Sequence, residues 1–306
     1  MQRFAIVTNA YKDKDLIVTK KIVEYIQTKG GSVVSLCEDN GQIKDCDDID
    51  FSKIPNDTEC MLVLGGDGTL IRAATRIHDR AIPLIGINMG TLGYLCEVKE
   101  EKVFTAIDRL MSDTFMLEER MMLEGIIVRN SKPKSFGVES KSNTISKRNA
   151  SEWIRYSALN DLVIHRPADL SILRLHIYVN GEPLTMYEAD GVIISTPTGT
   201  TGYNLSAGGP IVDPKAKMLV LTPINAHNLN SKSIVLAADD IIEIELGTRR
   251  YQGDETAGIS CDGDICETLF VGDRLRIVRS TDVVKICKLS SRSFLEILRN
   301  KMGTYQ

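Results

Sequence analysis

The sequence predicts an α/β fold: a parallel, doubly wound sheet in the N-terminal part, then a β-rich C-terminal part, then a helix returning to the first. Three observations carry this expectation. Up to about residue 110, short apolar runs alternate with amphipathic stretches, the pattern of a parallel sheet with crossover helices. Beyond about residue 118, strand-like runs follow one another with few helices between them. Between Met61–Leu64 and a helical stretch lies a glycine-rich turn, Gly65-Gly66-Asp67-Gly68-Thr69. With 306 residues the chain is long enough for two ordinary domains or one large one. The expected division is 1–118, with 288–306 packing back on it, and 119–287.

In chain order, Phe4–Thr8 reads as a strand and Asp15–Lys29 as an amphipathic helix stopped by Gly30-Gly31. Val33–Leu36 is a second strand, followed by a polar, acidic loop from Glu38 to Asp57. Met61–Leu64 is apolar throughout, as a strand covered on both faces must be. Leu70, Ile71, Ala73, Ala74 and Ile77 recur at helical spacing up to His78. Pro83–Ile87 is a strand ending in Asn88-Met-Gly-Thr-Leu-Gly-Tyr94, and Lys99–Leu110 a helix. The β-rich half begins with Met122–Arg129. It continues through Ser157–His165, Ile172–Val179, Gly191–Thr196, Ile234–Leu236, Ile241–Leu246, Ile259–Cys261 and Arg274–Arg279. Asn180-Gly181 and Asp262-Gly263 are hairpin turns. Residues 130–152, rich in Ser, Lys and Asn, read as an exposed loop, and Ser290–Asn300 as a short capped helix.

The turn at Gly65–Thr69 carries the strongest chemical signal. Ligands of open α/β sheets bind at the C-terminal ends of strands. Backbone N–H groups freed by glycines, with a helix N-terminus behind them, suit phosphate. Asp67 is out of place there, since a carboxylate repels phosphate. It serves either to accept a proton from a hydroxyl or to hold a magnesium ion, and both uses belong to phosphoryl transfer. A plain helix cap needs one polar residue, not three glycines in four positions. Arg72, one turn further on, is either a phosphate contact or a solvated charge.

A second constellation spans Ala189–Ile211. A strand runs into Thr196-Pro-Thr-Gly-Thr-Thr-Gly-Tyr203, then Asn204-Leu205-Ser206 and the tight turn Gly208-Gly209-Pro210. Its hydroxyls and N–H groups suit phosphate or ribose, and Tyr203 suits stacking on a base. Asn160-Asp161, opening a strand, is either a turn or an amide–carboxylate pair able to read a purine edge and ribose hydroxyls. Asp190 is likewise a turn residue or a hydroxyl ligand.

Composition narrows the classes. The chain is 43% hydrophobic and 25% charged with net charge −4, which disfavours general nucleic-acid binding. Its seven cysteines include no C-x-x-C, so reduced thiols fit better than a disulfide framework or a zinc site. The N-terminus reads as a strand rather than a signal peptide, and no apolar run reaches membrane-spanning length. A cytoplasmic protein without membrane or nucleic-acid partners is expected. No G-x-x-x-x-G-K-[ST] occurs, and no G-x-G-x-x-G follows the first strand, which excludes the P-loop and disfavours ordinary hydride transfer. The four histidines form no metal pattern, and no metal ligands are assigned from sequence.

Together these residues resemble the NAD kinase family of bacterial type. The matching elements are Gly65–Thr69, Asn88–Leu95, the pair Asn160-Asp161, the block Asp190–Pro210 and Pro223–Leu229. They cover residues from about 60 to 230, and the Asp190–Pro210 block is the most specific. Where the family reads S-T-A-Y, this chain has Thr200-Thr201-Gly202-Tyr203, which keeps the hydroxyl and the small residue.

The resemblance implies transfer of the ATP γ-phosphate to the 2′-hydroxyl of NAD's adenosine ribose, giving NADP. Asp67 is then the general base, and Mg²⁺ or another divalent cation neutralises charge. Gly65, Gly66, Gly68 and Thr69 hold phosphates, with Arg72 in reach. Asp67 and Gly68 contact NAD, and Asn160 and Asp161 hold its adenosine portion. Asp190 meets the nicotinamide-side ribose or amide. Thr201, Gly202, Tyr203, Asn204, Leu205 and Ser206 line the dinucleotide pocket. His227 is either a dinucleotide contact or a loop histidine. The resemblance also implies a homodimer or homotetramer, and leaves polyphosphate open as an alternative donor. A lipid or sphingoid-base kinase shares Gly-Gly-Asp-Gly-Thr but needs an apolar acceptor pocket. A non-catalytic dinucleotide sensor keeps the 190–210 block without needing Asp67.

Overall fold

The computed structural model describes residues 1–39, 42–43, 49–90, 93–129, 154–167, 172–227, 231–248 and 255–303. The expected loop 130–152, together with Thr91, Leu92 and Asn228-Leu229, lies outside the described residues. The chain forms two compact units: Met1–Met122 with Asp213–Lys215 and Thr281–Gln306, and Leu123–Val212 with Ala216–Ser280.

In the first unit the alternation is as expected. Strand β1 (Arg3–Thr8) leads through a 3-10 turn into helix α1 (Ile17–Thr28), then β2 (Ser32–Ser35). The acidic stretch holds a small hairpin, β3 (Glu38–Asp39) and β4 (Gln42–Ile43), which its composition does not announce. Strand β5 (Cys60–Gly65), helix α2 (Asp67–Ile77), β6 (Leu84–Asn88), the short β7 (Val98–Lys99) and α3 (Val103–Met111) follow. The order β2-β1-β5-β6 is parallel throughout. The chain leaves β1 in one direction and returns to β5 on its other side. The strand order therefore reverses between β1 and β5, and the right-handed crossovers carrying α1 and α2 lie on opposite faces.

Alternation along the strands divides their residues between the two faces. Phe4, Ile6, Leu62, Leu64, Ile85 and Ile87 form one core with Ile22 and Ile26 of α1 and Val103, Ile107 and Leu110 of α3. All six residues of β5 are buried, which is why its sequence shows no alternation. Helix α2 packs on β5 and β6. It starts at Asp67 rather than Leu70. The two glycines at positions 66 and 68 conceal from the sequence pattern that Asp67 already sits in the first helical turn.

Strand β8 (Met116–Val128) begins six residues before the expected Met122, because Glu118, Glu119 and Arg120 blur its apolar period. In the second unit the expected strand Ser157–His165 is two strands, β9 (Ile154–Ala158) and β10 (Asp161–His165). Leu159-Asn160 makes the break. Strands β11 (Leu173–Val179) and β12 (Glu182–Ala189) form a hairpin over Asn180-Gly181, both at positive φ. Then come β13 (Gly191–Ser195), a 3-10 turn Gly199–Thr201, and the short helix α4 (Tyr203–Ser206). Strands β14 (Met218–Ile224), β15 (Ile234–Ala237), β16 (Ile242–Gly247), β17 (Thr256–Cys261) and β18 (Asp264–Phe270) follow. An antiparallel sheet runs β15-β14-β13-β10-β17-β18, with β13 and β10 central. Strands β12 and β18 escape sequence reading because exposed residues interrupt their patterns, as at Glu182–Met186; β14, buried along Leu219–Pro223, is also missed.

The last strand, β19 (Arg274–Lys288), runs nine residues past the expected Arg279. Ser280 is buried and the strand continues to pair Ile286 with Leu84. Helix α5 (Phe294–Met302) is capped by Ser293, whose hydroxyl accepts from the Glu296 N–H. It returns to the first unit, where the Lys301 ammonium stands 5.4 Å from the Tyr94 ring centre. Among the described residues no helix is long and apolar enough to cross a membrane.

Leu62→Ala opens a cavity in the fully buried β5 core. We expect it to cost about 2–5 kcal/mol in equilibrium denaturant unfolding. A loss below about 1 kcal/mol would show that this core is not what holds the first unit.

Candidate functional site

At the strand-order reversal of the first unit, the ends of β1, β5 and β6 come together: the Asn9 N–H donates to Leu64 O, and the Met89 N–H to Gly65 O. Gly66 is the N-cap of α2 and Asp67 its first residue. The Asp67 carboxylate turns away from a capping role. Its Oδ2 accepts the Tyr94 N–H at 2.6 Å, and its Oδ1 accepts the N–H groups of Leu95 at 3.2 Å and Cys96 at 2.9 Å. A carboxylate has about four acceptor positions. Three are filled by these N–H groups, and the neutral Cys96 thiol also hydrogen-bonds the carboxylate. Gly93 makes this arrangement available: a Cβ there would stand 2.0 Å from Asp67 Oδ1. Thus the two sequence motifs, Gly65–Thr69 and Asn88–Leu95, are one structure joined through a carboxylate.

Beside them, burial pushes the Cys96 thiol well up, and the Asp67 charge adds to the effect, so Cys96 stays a neutral thiol. Thr69 is buried, Gly68 is exposed and Arg72 lies on the exposed side of α2. Arg120 of β8, which sequence reasoning passes over, is buried against Glu118. Burial pulls its basicity down, while the carboxylates of Glu118, Asp213 and Asp67 oppose that.

The second unit builds a cavity of about 520 Å³ lined by Asn160, Asp161, Val163, His165, Tyr203, Ser260, Asp262, Gly263 and Ile265. Three expected residues, Asn160, Asp161 and Tyr203, meet here. The organising side chain is one the sequence marks only as a turn. Asp262, at φ 51°, accepts the N–H groups of Leu159 at 2.8 Å, Asn160 at 2.7 Å and Asp161 at 3.1 Å. No spacing rule links residues a hundred positions apart, so sequence reading has no route to this contact. His165, at the far end of β10, shares a hydrogen bond of 3.0 Å with the Ser260 hydroxyl. Its position four residues after Asp161 on a strand puts it on the same face.

The hydroxyl-rich loop is tied to Asn160 from the other side. The Thr196 N–H donates to Asn160 O at 2.8 Å, and the Thr196 hydroxyl donates to Leu159 O at 2.6 Å. Gly199 packs so closely on Asn160 that a Cβ would lie 2.1 Å from its carbonyl oxygen. Asn204 is fully buried: its amide donates to Thr200 O and Pro210 O and accepts the Thr222 hydroxyl at 2.7 Å. Asn204 therefore fixes the loop from beneath rather than facing a ligand, while Tyr203, Leu205 and Ser206 are exposed and Thr201 and Gly202 half-buried. Asn160 Oδ1 is buried with no hydrogen-bond partner among the described residues. Such an atom needs a water or a ligand donor.

Asp190 stands at the opposite end of β13 from this loop. It accepts the Asn225 amide at 3.0 Å and faces Arg166 at 3.4 Å. His227 is exposed, with its N–H on Glu188 O.

Burial, reinforced by the Asp262 charge, raises the Asp161 carboxyl to about 7. Its folded value thus exceeds the ordinary carboxylate range, so its contribution to stability is complete below pH 4 and is lost as pH rises through 7. Asp161→Asn, which stays neutral, should gain thermal stability relative to the parent between pH 5 and pH 8. A stability difference constant across that range would contradict the shift.

Comparison with known proteins places this geometry. Residues 4–115 match the model of the ATP-NAD kinase N-terminal domain, and residues 159–289 that of the ATP-NAD kinase C-terminal domain. The NAD kinase of Agathobacter rectalis is 55% identical over 305 residues, covering 100% of both chains. The NAD kinase of Lachnospira eligens is 41% identical over 313 residues, 99% of this chain and 100% of that one. Yeast NADH kinase complexed with NADH superposes with a TM-score of 0.82 at 21% identity, covering 100% of this chain and 88% of that one. An NAD kinase from Archaeoglobus fulgidus in complex with ATP gives 0.72 at 20% identity, covering 99% and 100%. The two solved structures show the shared fold. The family models and the full-length identities go further: this chain belongs to the NAD kinase family.

Proposed function

We propose that this chain phosphorylates NAD at the 2′-hydroxyl of its adenosine ribose, with ATP as donor and Asp67 as general base. The observation that carries the reading is the Asp67 carboxylate, held in one orientation by three N–H donors at the C-terminal end of β5. In the reaction the ribose 2′-oxygen attacks the γ-phosphorus, the bond from that phosphorus to the bridging oxygen breaks, ADP leaves, and the hydroxyl proton passes to Asp67. A ribose hydroxyl is a weak nucleophile at neutral pH, and an aligned acceptor for its proton lowers the barrier. Most of the remaining gain comes from in-line placement.

The first unit then acts as the nucleotide-binding domain. Gly65, Gly66, Gly68 and Thr69 hold donor phosphates at the α2 N-terminus, with Arg72 in reach. The second acts as the NAD-binding domain. Asn160 and Asp161 hold adenosine in the cavity, and Tyr203 lies against a ring. Thr201, Gly202, Leu205 and Ser206 border the dinucleotide, while Asn204 acts by holding their loop. Asp190 meets the nicotinamide side. Among the described residues no group of three or more potential metal ligands occurs. Mg²⁺ is held largely by substrate phosphates and water with one or two carboxylates. The cation's contribution when bound would be to neutralise phosphate charge. A cytoplasmic homodimer or homotetramer completes the proposal, in keeping with the free thiols of Cys37, Cys60, Cys96, Cys261, Cys266 and Cys287.

The test is NADP formation from NAD, ATP and Mg²⁺, read with an NADP-specific dehydrogenase. The parent should be active. Asp67→Asn should fold, bind NAD and lose about 10²–10⁴-fold in turnover. Near-normal turnover in that variant would remove Asp67 from the mechanism. Gly93→Ala should also lose turnover, about 10²-fold for a displacement of an ångström. Parent-like kinetics in Gly93→Ala would refute the carboxylate's dependence on that glycine.

A further inference from the structure

The cluster at the end of β5 offers donor phosphates a carboxylate, glycine N–H groups and a helix dipole. A triphosphate carries several negative charges, more than Arg72 on the exposed side of α2 can offset alone. Lys12, in the loop after β1, has the placement to add to it. Its ammonium lies 3.0 Å from where a Cβ on Gly66 would sit, and 3.6 Å from where one on Gly90 would sit. It thus hangs over both glycine turns, at the junction where the strand order reverses.

Three further observations support a ligand role. The backbone of Lys12 is fixed: its N–H donates to Asn9 O at 3.0 Å. The next residue, buried Asp13, holds the start of α1 through the N–H groups of Val18 at 2.9 Å and Thr19 at 2.8 Å. The ammonium itself has no ion-pair partner among the described residues. Finally, Asn88, paired in register with Gly65, is 4% exposed, and both atoms of its side-chain amide lack a partner among the described residues. A buried amide with neither donor nor acceptor satisfied at the same strand ends calls for a polar ligand or water.

We propose that Lys12 is the cation that binds the phosphoanhydride end of the phosphoryl donor, over Gly66 and Gly90. A lysine suits that task as a mobile point charge able to follow phosphate oxygens. The proposal deepens the kinase reading and rests on it for the identity of the donor.

The test compares the parent with Lys12→Met and Lys12→Arg, using ATP and, in a parallel arm, inorganic polyphosphate. Lys12 is exposed, so both variants should melt like the parent. In Lys12→Met the KM for the donor should rise about tenfold to a hundredfold, as expected for losing a charged hydrogen bond, with the KM for NAD unchanged. Lys12→Arg should recover most of the affinity. The arm that supports turnover identifies the donor. Unchanged donor KM in Lys12→Met, or a rise confined to NAD, would overturn the assignment. Calorimetric titration with ATP separates the two readings. Weakened ATP binding in Lys12→Met beside a parent that makes no NADP keeps Lys12 and overturns the acceptor. A parent that binds neither donor overturns both.

Discussion

The first unit depends on one constraint: three backbone N–H groups of Tyr94, Leu95 and Cys96 converge on the Asp67 carboxylate. The bonds tie the start of α2 to the segment after β6, so the geometry of the site and the local fold are the same fact. A carboxylate satisfied in this way cannot rotate freely. Its orientation is therefore pre-set, which is the preorganisation that a general base needs. The glycine at 93 is a consequence, since any side chain there would occupy the carboxylate's place.

The second unit repeats the device for a different end. Asp262 gathers three N–H groups from Leu159, Asn160 and Asp161, and so fixes the turn that presents the amide and carboxyl of the cavity. Here the collecting carboxylate is the scaffold and the side chains on the collected segment face the cavity. In the first unit the collecting carboxylate is itself the reactive group. The second arrangement has an electrostatic consequence. Asp262 brings negative charge beside the buried Asp161, whose carboxyl is raised to about 7 by burial first and by Asp262 second. At neutral pH that carboxyl is therefore poised to donate or accept a hydrogen bond.

Much of this was legible in the sequence, and the exceptions are instructive. The fold class and the parallel order of the first unit followed from fully apolar runs such as Met61–Leu64, because burial on both faces leaves a plain signature. Asp67 stood out because a carboxylate in a glycine turn contradicts phosphate binding by itself. Helix α2 begins three residues before its apolar period does, because glycines at its start carry no helical pattern. Arg120 was hidden because a buried, ion-paired arginine looks like surface in a hydropathy reading. Asp262 and Lys12 were beyond reach for a different reason. Their roles come from approach in space across long stretches of chain, whereas Gly93 and Gly199 at least advertise a close contact by being glycine.

The central claim is that the Asp67 carboxylate faces the hydroxyl to be phosphorylated. A crystal structure of the protein with NAD and Mg²⁺ tests it most directly. The account predicts Oδ2 of Asp67 within about 3 Å of the ribose 2′-oxygen, with the Tyr94, Leu95 and Cys96 N–H bonds retained. A 2′-hydroxyl beyond hydrogen-bond reach of Asp67, or a carboxylate released from all three donors, would contradict it.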